Sequence, residues 1–240
     1  MKTRTVALGV FAVVALAVVF GAPGLFGGDA PNSDSNVTPT PTERSMQEAP
    51  GVGTEALENV TALLEAYRGS MTNVGFVAEA NATGSRTVYT YARDGSRLVE
   101  AASGSQVIWT NGTASLMRDA SGDNVTYRRP SEVSLSTDTL TRYNRFEALL
   151  AAARYERDGT TPCGDTTCVV LAAEGSPGSP FENFTATAHV DETGVIHRFD
   201  AEYVRTTDDK QFDFAFRVTR IGVESIDRPD WVDEGLENVE

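Results

Sequence analysis

Three alternating runs near the carboxyl end of the chain constrain its fold more than any other feature of the sequence. In residues 184–190, 195–203 and 212–218, every second side chain is predicted to lie on one face, and the residues between them, which are mostly polar, on the other. A period of two is typical of a β-strand with one buried face. The positions on the first face are Phe184, Ala186, Ala188, Val190, Val195, His197, Phe199, Ala201, Tyr203, Phe212, Phe214, Phe216 and Val218. The runs therefore predict a three-stranded antiparallel meander with one strongly aromatic face.

The spacing of the turns between these runs predicts how the strands pair. A four-residue turn would place Val190 opposite Val195, and a second four-residue turn would place Tyr203 opposite Phe212. Both registers keep the apolar side chains on one face, which is what a half-buried sheet requires.

The histidines and the acidic turns form no catalytic or metal-binding constellation. In the predicted register His189 faces solvent and His197 faces the apolar side, so the two cannot converge on one metal ion. The acidic pairs in the hairpin turns lack the spacing of a cation-binding loop. Motifs of the G-x-S-x-G, H-E-x-x-H and phosphate-loop types are absent from the sequence. We therefore predict that the protein is not an enzyme and uses no metal or cofactor.

The rest of the folded part is predicted to contain two helices and further strands. Thr54 can cap a first helix that ends at Gly69, and a second helix is predicted over 138–156. Strand-like runs, separated by turn signals such as Asp-Gly and Asn-Gly, cover 74–82, 86–93, 97–102, 106–110, 113–118, 124–128 and 168–173. Two helices are too few to cover a sheet of about ten strands from outside. The expected fold is α+β, a strongly curved antiparallel half-barrel of about ten strands with two helices on its concave face.

The amino-terminal run Thr5–Phe26 contains no charged residue and follows a short basic tip. It is long enough to span a bilayer, and the basic tip predicts that the rest of the chain lies outside the cell. A cleaved signal is the alternative, although Pro23 disfavours cleavage at this exit. Residues rich in Pro, Gly, Ser and Thr follow and predict a flexible stalk. The predicted order is a cytoplasmic tip at 1–4, a transmembrane anchor or signal at 5–26, a stalk at 27–53 and an extracytoplasmic domain at 54–240.

Acidic residues dominate the charge of the chain. There are 34 acidic and 20 basic residues, for a net charge of −14, and the only lysines are Lys2 and Lys210. Such a surface stays hydrated in strong salt and repels phosphates, which excludes nucleic acid as a partner. The preference for arginine and the abundance of Asp, Glu, Thr and Val resemble proteins of halophilic archaea.

Two further features are typical of an exported chain. The four-residue gap between Cys163 and Cys168 fits neither a C-x-x-C redox motif nor half of a zinc site, so a structural disulfide is expected. Sequons for asparagine glycosylation, which are used only outside the cytoplasm, occur at Asn36, Asn59, Asn81, Asn111, Asn124 and Asn183. Because Pro39 follows the first sequon directly, the candidate glycosylation sites are the other five.

The predicted elements follow the order helix, long meander, second helix and second meander. This order resembles the half-barrel of LolA-like lipoprotein carriers and of mycobacterial lipid-binding lipoproteins. The chain is also similar to uncharacterised haloarchaeal membrane-attached, lipoprotein-like proteins that end near an Arg228-Pro229-Asp230-Trp231 type of sequence. It departs from the lipoproteins because no cysteine for lipid attachment follows the apolar run. The amino-terminal anchor takes the place of that attachment in this interpretation.

The resemblance implies a site for a lipid-like hydrophobic ligand between the sheet and its helices. The residues that would line it are Phe184, Phe199, Tyr203, Phe212, Phe214 and Phe216. The alternative is that these side chains are ordinary core. The protein would then be a structural or interaction module of the cell envelope with a filled core and no ligand.

Overall fold

One antiparallel sheet of eleven strands forms the framework of the protein in the computed structural model, which describes residues 48–122, 124–130, 135–175 and 181–239. The strands are β1 (Phe76–Ala82), β2 (Ser85–Tyr91), β3 (Arg97–Ala101), β4 (Gln106–Thr110), β5 (Ser115–Asp119), β6 (Thr126–Arg128), β7 (Glu156–Cys163), β8 (Thr166–Glu174), β9 (Phe181–Asp191), β10 (Ile196–Arg205) and β11 (Lys210–Ile221). Their order across the sheet is β6-β5-β4-β3-β2-β1-β11-β10-β9-β8-β7. Two meanders therefore join where β1 pairs with β11, and the sheet is open, with β6 and β7 at its edges.

Two helices pack on the aromatic face of the sheet, which we call the inner face. The described residues form four helices, α1 (Val60–Asn73), α2 (Thr137–Leu140), α3 (Tyr143–Leu150) and α4 (Trp231–Asn238), and the two on the aromatic face are α1 and α3. Side chains of α1 and α3 share one buried cluster with Phe199, Phe214 and Phe216 of the sheet. Tyr67 of α1 and Phe146 of α3 meet there with ring centroids 5.4 Å apart. The predicted covering of the aromatic face by helices is therefore present.

Helix α4 packs on the opposite, outer face, which the sequence did not predict. Trp109 of β4 lies opposite Leu116 of β5. Both side chains point away from the inner face, since successive residues of a strand alternate between faces. They form a second buried cluster with Tyr127 of β6 and Val232 of α4. Helix α4 is therefore additional to the two predicted helices, and it packs on the outer face because the sheet has apolar residues on both faces at its β4–β6 end.

The first helix begins and ends later than predicted. Its N-cap is Asn59, whose side-chain oxygen accepts a hydrogen bond from the backbone N–H of Ala62 at 3.0 Å. Thr54 lies in a bend before the helix. Gly69 does not end the helix, because one more turn buries Met71 in the core, and burial outweighs the low helix propensity of glycine.

The folded domain begins before residue 54. Ala49 and Val52 are buried, and the carbonyl oxygen of Gly51 accepts hydrogen bonds from the N–H groups of Glu58 and Asn59 at 2.9 and 3.0 Å. Gly51 has a φ of 77°, and a Cβ there would lie 2.2 Å from the carbonyl oxygen of Asn59. Residues 48–53 of the predicted stalk thus pack as part of the domain.

The predicted second helix is two helices followed by a strand. Helix α2 ends at Leu140, and Arg142 adopts a left-handed φ of 60° before α3 begins. The hydroxyl of Tyr155 donates a hydrogen bond to the carbonyl of Leu149 at 3.1 Å, at the end of α3. The chain from Glu156 onward is strand β7, because pairing with β8 satisfies its backbone groups.

The β9–β10 hairpin differs from the predicted register by one residue. Val190 lies opposite Ile196 and not Val195. Asp191 explains the shift, because its Oδ1 accepts hydrogen bonds from the N–H groups of Thr193 and Val195 at 2.9 and 3.0 Å. These bonds hold Val195 inside the turn.

A bulge between Ile196 and Arg198 adds a second residue to this shift, so Phe199 lies opposite Ala188 and the aromatic side chains return to one face. His197 is the extra residue, so its side chain does not enter the aromatic face as predicted. Its Nε2 lies 2.8 Å from Oδ2 of Asp191. Beyond the bulge the aromatic alternation resumes, and the predicted pairing of Tyr203 with Phe212 is confirmed.

The predicted anchor Thr5–Phe26, the stalk up to residue 47 and the Asn36 sequon lie outside the described residues. In the part of the chain that is described, no helix has the length and apolar character needed to cross a bilayer. The anchor stays a prediction from the sequence.

Candidate functional site

On the inner face of the central strands, three phenylalanines lie opposite an alanine on a neighbouring strand. The pairs are Phe216 with Ala80, Phe199 with Ala188, and Phe214 with Ala201. An alanine beside a large ring leaves space above the sheet that a helix side chain can fill. This pattern determines how closely α3 approaches the aromatic face.

Phe146 of α3 fills the middle of the aromatic face. Its ring centroid lies 5.2 Å from that of Phe199, 5.1 Å from that of Phe216 and 6.2 Å from that of Phe214. These four rings are 2% exposed or less, and Phe184 is 1% exposed. Five of the six predicted ligand-binding residues are therefore buried, because Tyr203 is only 3% exposed and belongs to the same core cluster.

The sixth predicted residue, Phe212, is half-buried and lies beside the buried Tyr203 in a group of rings that remains partly open at Phe181 and Phe212. Phe181 and Tyr203 have ring centroids 4.5 Å apart, and Tyr203 and Phe212 stack at 5.5 Å. Phe181 and Phe212 are half-buried, whereas the rings behind them are buried. We call Phe181, Tyr203 and Phe212 the aromatic rim. It lies where β9 begins, β10 ends and β11 begins, and Phe181 was not among the predicted residues.

Two arginines at the start of α3 reach the same region and were missed by the sequence reasoning. The guanidinium of Arg142 lies 5.8 Å from the ring centroid of Tyr89, and that of Arg145 lies 5.5 Å from the ring centroid of Tyr203. Arg145 also donates a hydrogen bond to the Tyr203 hydroxyl, and Nη1 of Arg142 lies 3.4 Å from the Tyr89 hydroxyl. The sequence signal was available, since two arginines three residues apart share a face of a predicted helix.

Tyr67 of α1 contacts the segment between α2 and α3, directly before Arg142. Its hydroxyl donates a hydrogen bond to the carbonyl of Thr141 at 2.8 Å. Burial raises the pKa of Tyr67 well above its usual value, and the positive charge of Arg142 opposes this only in part. The hydroxyl therefore stays protonated and remains a donor to the residue that precedes Arg142.

The predicted disulfide and sequons lie on other parts of the sheet and its loops. Cys163 and Cys168 are joined, as predicted, across the β7–β8 hairpin. The sequon asparagines that the structure describes are all exposed: Asn59, Asn81, Asn111, Asn124 and Asn183. Their glycosylation stays a prediction.

Within the described residues, no group of three or more His, Cys, Asp or Glu side chains could hold a metal ion. The pair formed by His197 and Asp191 belongs to a hairpin turn. The aromatic rim and the two arginines are therefore the best candidate site.

Comparison with known proteins gives structural similarities at low identity. No protein-family model and no curated protein matches the chain. It is similar to the solved structures of MucB in complex with MucA(peri), of a LolA superfamily protein from Nitrosomonas europaea and of a DUF1329 family protein from Desulfovibrio piger. The identities are 13%, 12% and 13%, and the TM-scores are 0.38, 0.25 and 0.28.

The similar regions cover 72%, 72% and 75% of this chain. They cover 59% of the MucB chain and 96% and 98% of the other two, so this chain matches little more than half of MucB. Since all three TM-scores are below 0.5, the function is inferred below from the residues of this chain. One of the three structures belongs to the LolA superfamily, the group that the order of elements in the sequence resembles.

Proposed function

We propose that the chain is a membrane-tethered, extracytoplasmic protein that binds or carries a lipid-like ligand on its aromatic rim. The observation that carries this proposal is the stack of Phe181, Tyr203 and Phe212, which stays partly open at the end of an otherwise filled aromatic face. Partly exposed rings with a polar border are typical of sites for apolar ligands. The tether and its orientation are supported by the Thr5–Phe26 run and the basic tip before it.

The rim accommodates an acyl chain at lower cost than the middle of the inner face. A ligand between α3 and the sheet would have to displace Phe146, which is fully buried. Emptying such a phenylalanine site costs about 3–5 kcal/mol. A ligand that lies along Phe212 and Phe181 covers rings that are already partly in water, and it has to displace only the Arg205 guanidinium, which lies 4.7 Å from the ring centroid of Phe212. It therefore gains apolar contact without disturbing the core.

The filled middle of the face also favours a second candidate function. With Phe146 in place, α3 and the sheet pack as an ordinary core. A structural or interaction module of the cell envelope, without a ligand, would have such a core. The two candidates differ in one measurable property, which is whether a lipid contacts the rim.

Photo-crosslinking of the full chain in phospholipid nanodiscs tests the proposal. A fatty acid with a photoactivatable group near the end of its acyl chain is added, the sample is irradiated, and modified peptides are identified by mass spectrometry. We expect adducts on peptides that contain Phe181, Tyr203 or Phe212. The variant Phe212→Ala should reduce labelling of the rim several-fold, since it removes one face of the stack.

Ile221→Ala is the matched control, because Ile221 is an apolar residue of the same strand, is 43% exposed and lies at the other end of β11. It should leave rim labelling unchanged. Adducts confined to residues 5–26, or equal labelling of the wild type and Phe212→Ala, would contradict the lipid proposal and favour the envelope module.

A further inference from the structure

Two positive charges converge on one aromatic ring at the border of the rim. The guanidinium carbons of Arg142 and Arg145 lie 6.0 and 5.4 Å from the ring centroid of Phe214. Each guanidinium also lies over a tyrosine, Tyr89 or Tyr203, within 5.8 Å of its centroid. Aromatic faces attract these cations, but the two like charges repel each other. An anion beside both would remove this repulsion.

No counter-charge from the described part of the chain serves this purpose. Neither Arg142 nor Arg145 forms an ion pair with any described carboxylate, although the chain has 34 acidic residues. Asp138 is the one carboxylate among the lining residues of the same depression; its Oδ2 is bound by Arg68 at 2.9 Å, and its Oδ1 is buried without a hydrogen-bond partner among the described residues. The depression thus keeps a positive excess in a strongly acidic protein.

Both arginines also retain unused donors. The Nε atoms of Arg142 and Arg145 are buried and have no hydrogen-bond partner among the residues that the structure describes. Buried donors are nearly always satisfied in native proteins, so these two donors on neighbouring arginines of the same depression point to a missing acceptor. The two side chains border an open depression of about 310 Å³, whose other lining residues are Asp138, Thr139, Asn144 and Ala148. This volume accepts a phosphate or carboxylate group.

We propose that Arg142 and Arg145 bind the anionic group, a phosphate or carboxylate, of the lipid-like ligand whose apolar part lies on the aromatic rim. The inference rests on the proposed function and names the ligand class as an anionic amphiphile. Tyr203 connects the two halves of the site, because its ring belongs to the rim and its hydroxyl accepts a hydrogen bond from Arg145. The planar fork of a guanidinium matches the oxygens of phosphate and carboxylate groups.

The test compares two photoactivatable lipids with identical acyl chains, a phosphatidic acid and a diacylglycerol, each presented to the full chain in phosphatidylcholine nanodiscs. We expect the wild type to be labelled at the rim about tenfold more by the phosphatidic acid, the ratio that one charge-assisted contact supplies. Arg142→Gln and Arg145→Gln should each lower this ratio severalfold, because they reduce labelling by the phosphatidic acid much more than labelling by the diacylglycerol.

Arg154→Gln is the matched control, since Arg154 lies just beyond α3, its side chain is 76% exposed and it does not border the depression. It should keep the wild-type ratio. Arg142→Lys and Arg145→Lys keep the charge but lose the fork, so they should give intermediate ratios. Melting temperatures show whether each variant is folded. If a Gln variant unfolds, the Lys variant at the same position still tests the proposal, provided that it is as stable as the wild type.

The outcomes separate the two levels of the proposal. Equal labelling by the two lipids would overturn the anion site and leave lipid binding in place, whereas labelling by neither lipid would overturn both. Inorganic phosphate is added as a competitor to identify the source of the anion. If inorganic phosphate at micromolar concentration abolishes the preference for phosphatidic acid over diacylglycerol, this result supports the anion site with the free ion as its ligand. A need for much higher phosphate supports the lipid headgroup.

Discussion

Arg142 is the residue at which the chain adopts an unfavourable backbone geometry beside the candidate site. Its φ and ψ of 60° and 24° lie in the left-handed region, which costs a residue with a side chain about 1–2 kcal/mol. Its carbonyl accepts hydrogen bonds from the N–H groups of Arg145 and Phe146 at 2.9 and 3.0 Å, so the strained residue starts α3. Strain of this kind is concentrated at functional sites.

The strain at Arg142 predicts an unusual order of stability for two substitutions. Arg142→Gly and Arg142→Ala remove the same side-chain contacts, but only glycine adopts a positive φ without cost. We expect the glycine variant to be the more stable by about 1 kcal/mol in urea unfolding. At Arg145, inside the helix, the same pair should show the opposite order, because alanine favours helix by about 1 kcal/mol over glycine. The same order at both positions would contradict the left-handed geometry.

Asp191 predicts an acid-sensitive contribution to stability. Burial raises the pKa of its carboxyl, but hydrogen bonds from His197, Thr193 and Val195 outweigh burial and hold the pKa below its ordinary value. A carboxyl with a lowered pKa stabilises the fold above its unfolded-state pKa, and this contribution is lost as the pH falls through the folded-state pKa. The stabilisation is therefore present at neutral pH and disappears in acid.

The variant Asp191→Asn measures this contribution. At pH 7 the wild type should be more stable by about 1–2 kcal/mol, and the difference should shrink as the pH falls below the unfolded-state pKa of about 3.9 and through the lower folded-state pKa. Urea unfolding across this range gives the difference, and Asp165→Asn, at an exposed turn position, serves as the control. A difference that stays constant with pH would show that the Asp191 carboxylate does not carry the effect.

At the scale of elements, α1 and α4 differ in how much space surrounds a glycine in each helix. Gly69 of α1 is exposed, and no atom lies within 4 Å of the position that a Cβ would occupy. Gly235 of α4 lies against β5 and β6, where a Cβ would lie 2.3 Å from Cδ2 of Leu116 and 2.9 Å from Cδ1 of Tyr127. Helix α4 therefore approaches the outer face closely because it has no side chain at this position.

These two glycines form a matched pair of substitutions. Gly69→Ala should stabilise the protein by about 0.5–1 kcal/mol, since alanine loses less entropy in a helix and meets nothing. Gly235→Ala should destabilise it by about 1–3 kcal/mol, because the overpacking outweighs the gain in helix propensity. Thermal melts of both variants give the signs, and a stabilising Gly235→Ala would contradict the close packing of α4.

At the scale of the whole molecule, negative charge sets the conditions under which the fold is stable. Beyond Lys2 and Arg4 the chain has 34 acidic and 18 basic residues, a net charge of −16. The ion pairs among the described residues are mostly exposed, and exposed pairs contribute little to stability. Repulsion between carboxylates therefore acts against the compact state in dilute buffer.

Salt should accordingly stabilise the protein. Molar potassium chloride reduces the screening length to about 3 Å, which suppresses the repulsion between surface carboxylates. We expect the melting temperature of the full chain to rise steadily from low to molar salt. Sucrose at the same osmolality is the control, since it leaves the charges unscreened. A melting temperature that does not depend on salt would contradict the prediction.

Much of the sheet was predictable because strands are encoded locally. The period of two in β9 to β11 identifies these strands and their aromatic face, and the pairing of Tyr203 with Phe212 follows from the turn length. The one-residue shift at Val190 was not predictable from spacing, since it depends on hydrogen bonds that the Asp191 side chain makes inside the turn. Helix α4 was missed because the apolar residues that hold it are distant in sequence.

The candidate site was predictable only in part. The sequence identified an aromatic face, but it could not separate core residues such as Phe199 from rim residues such as Phe212, because both occupy the same face of their strands. The separation depends on where Phe146 lies when α3 packs. The sequence shows that Arg142 and Arg145 are three residues apart, but their convergence on Phe214 depends on how the fold places α3.

The sequence by itself determined the acidic character, the cysteine pair, the alternating strands and the apolar amino-terminal run, since each of these is a property of neighbouring residues. The tertiary structure alone decided which rings are buried, which face α4 covers and which charges converge. These outcomes depend on contacts such as those of Phe146 with β10 and β11, which join residues far apart in the chain. Local periodicity carries no information about such contacts, because packing is decided by all the elements together.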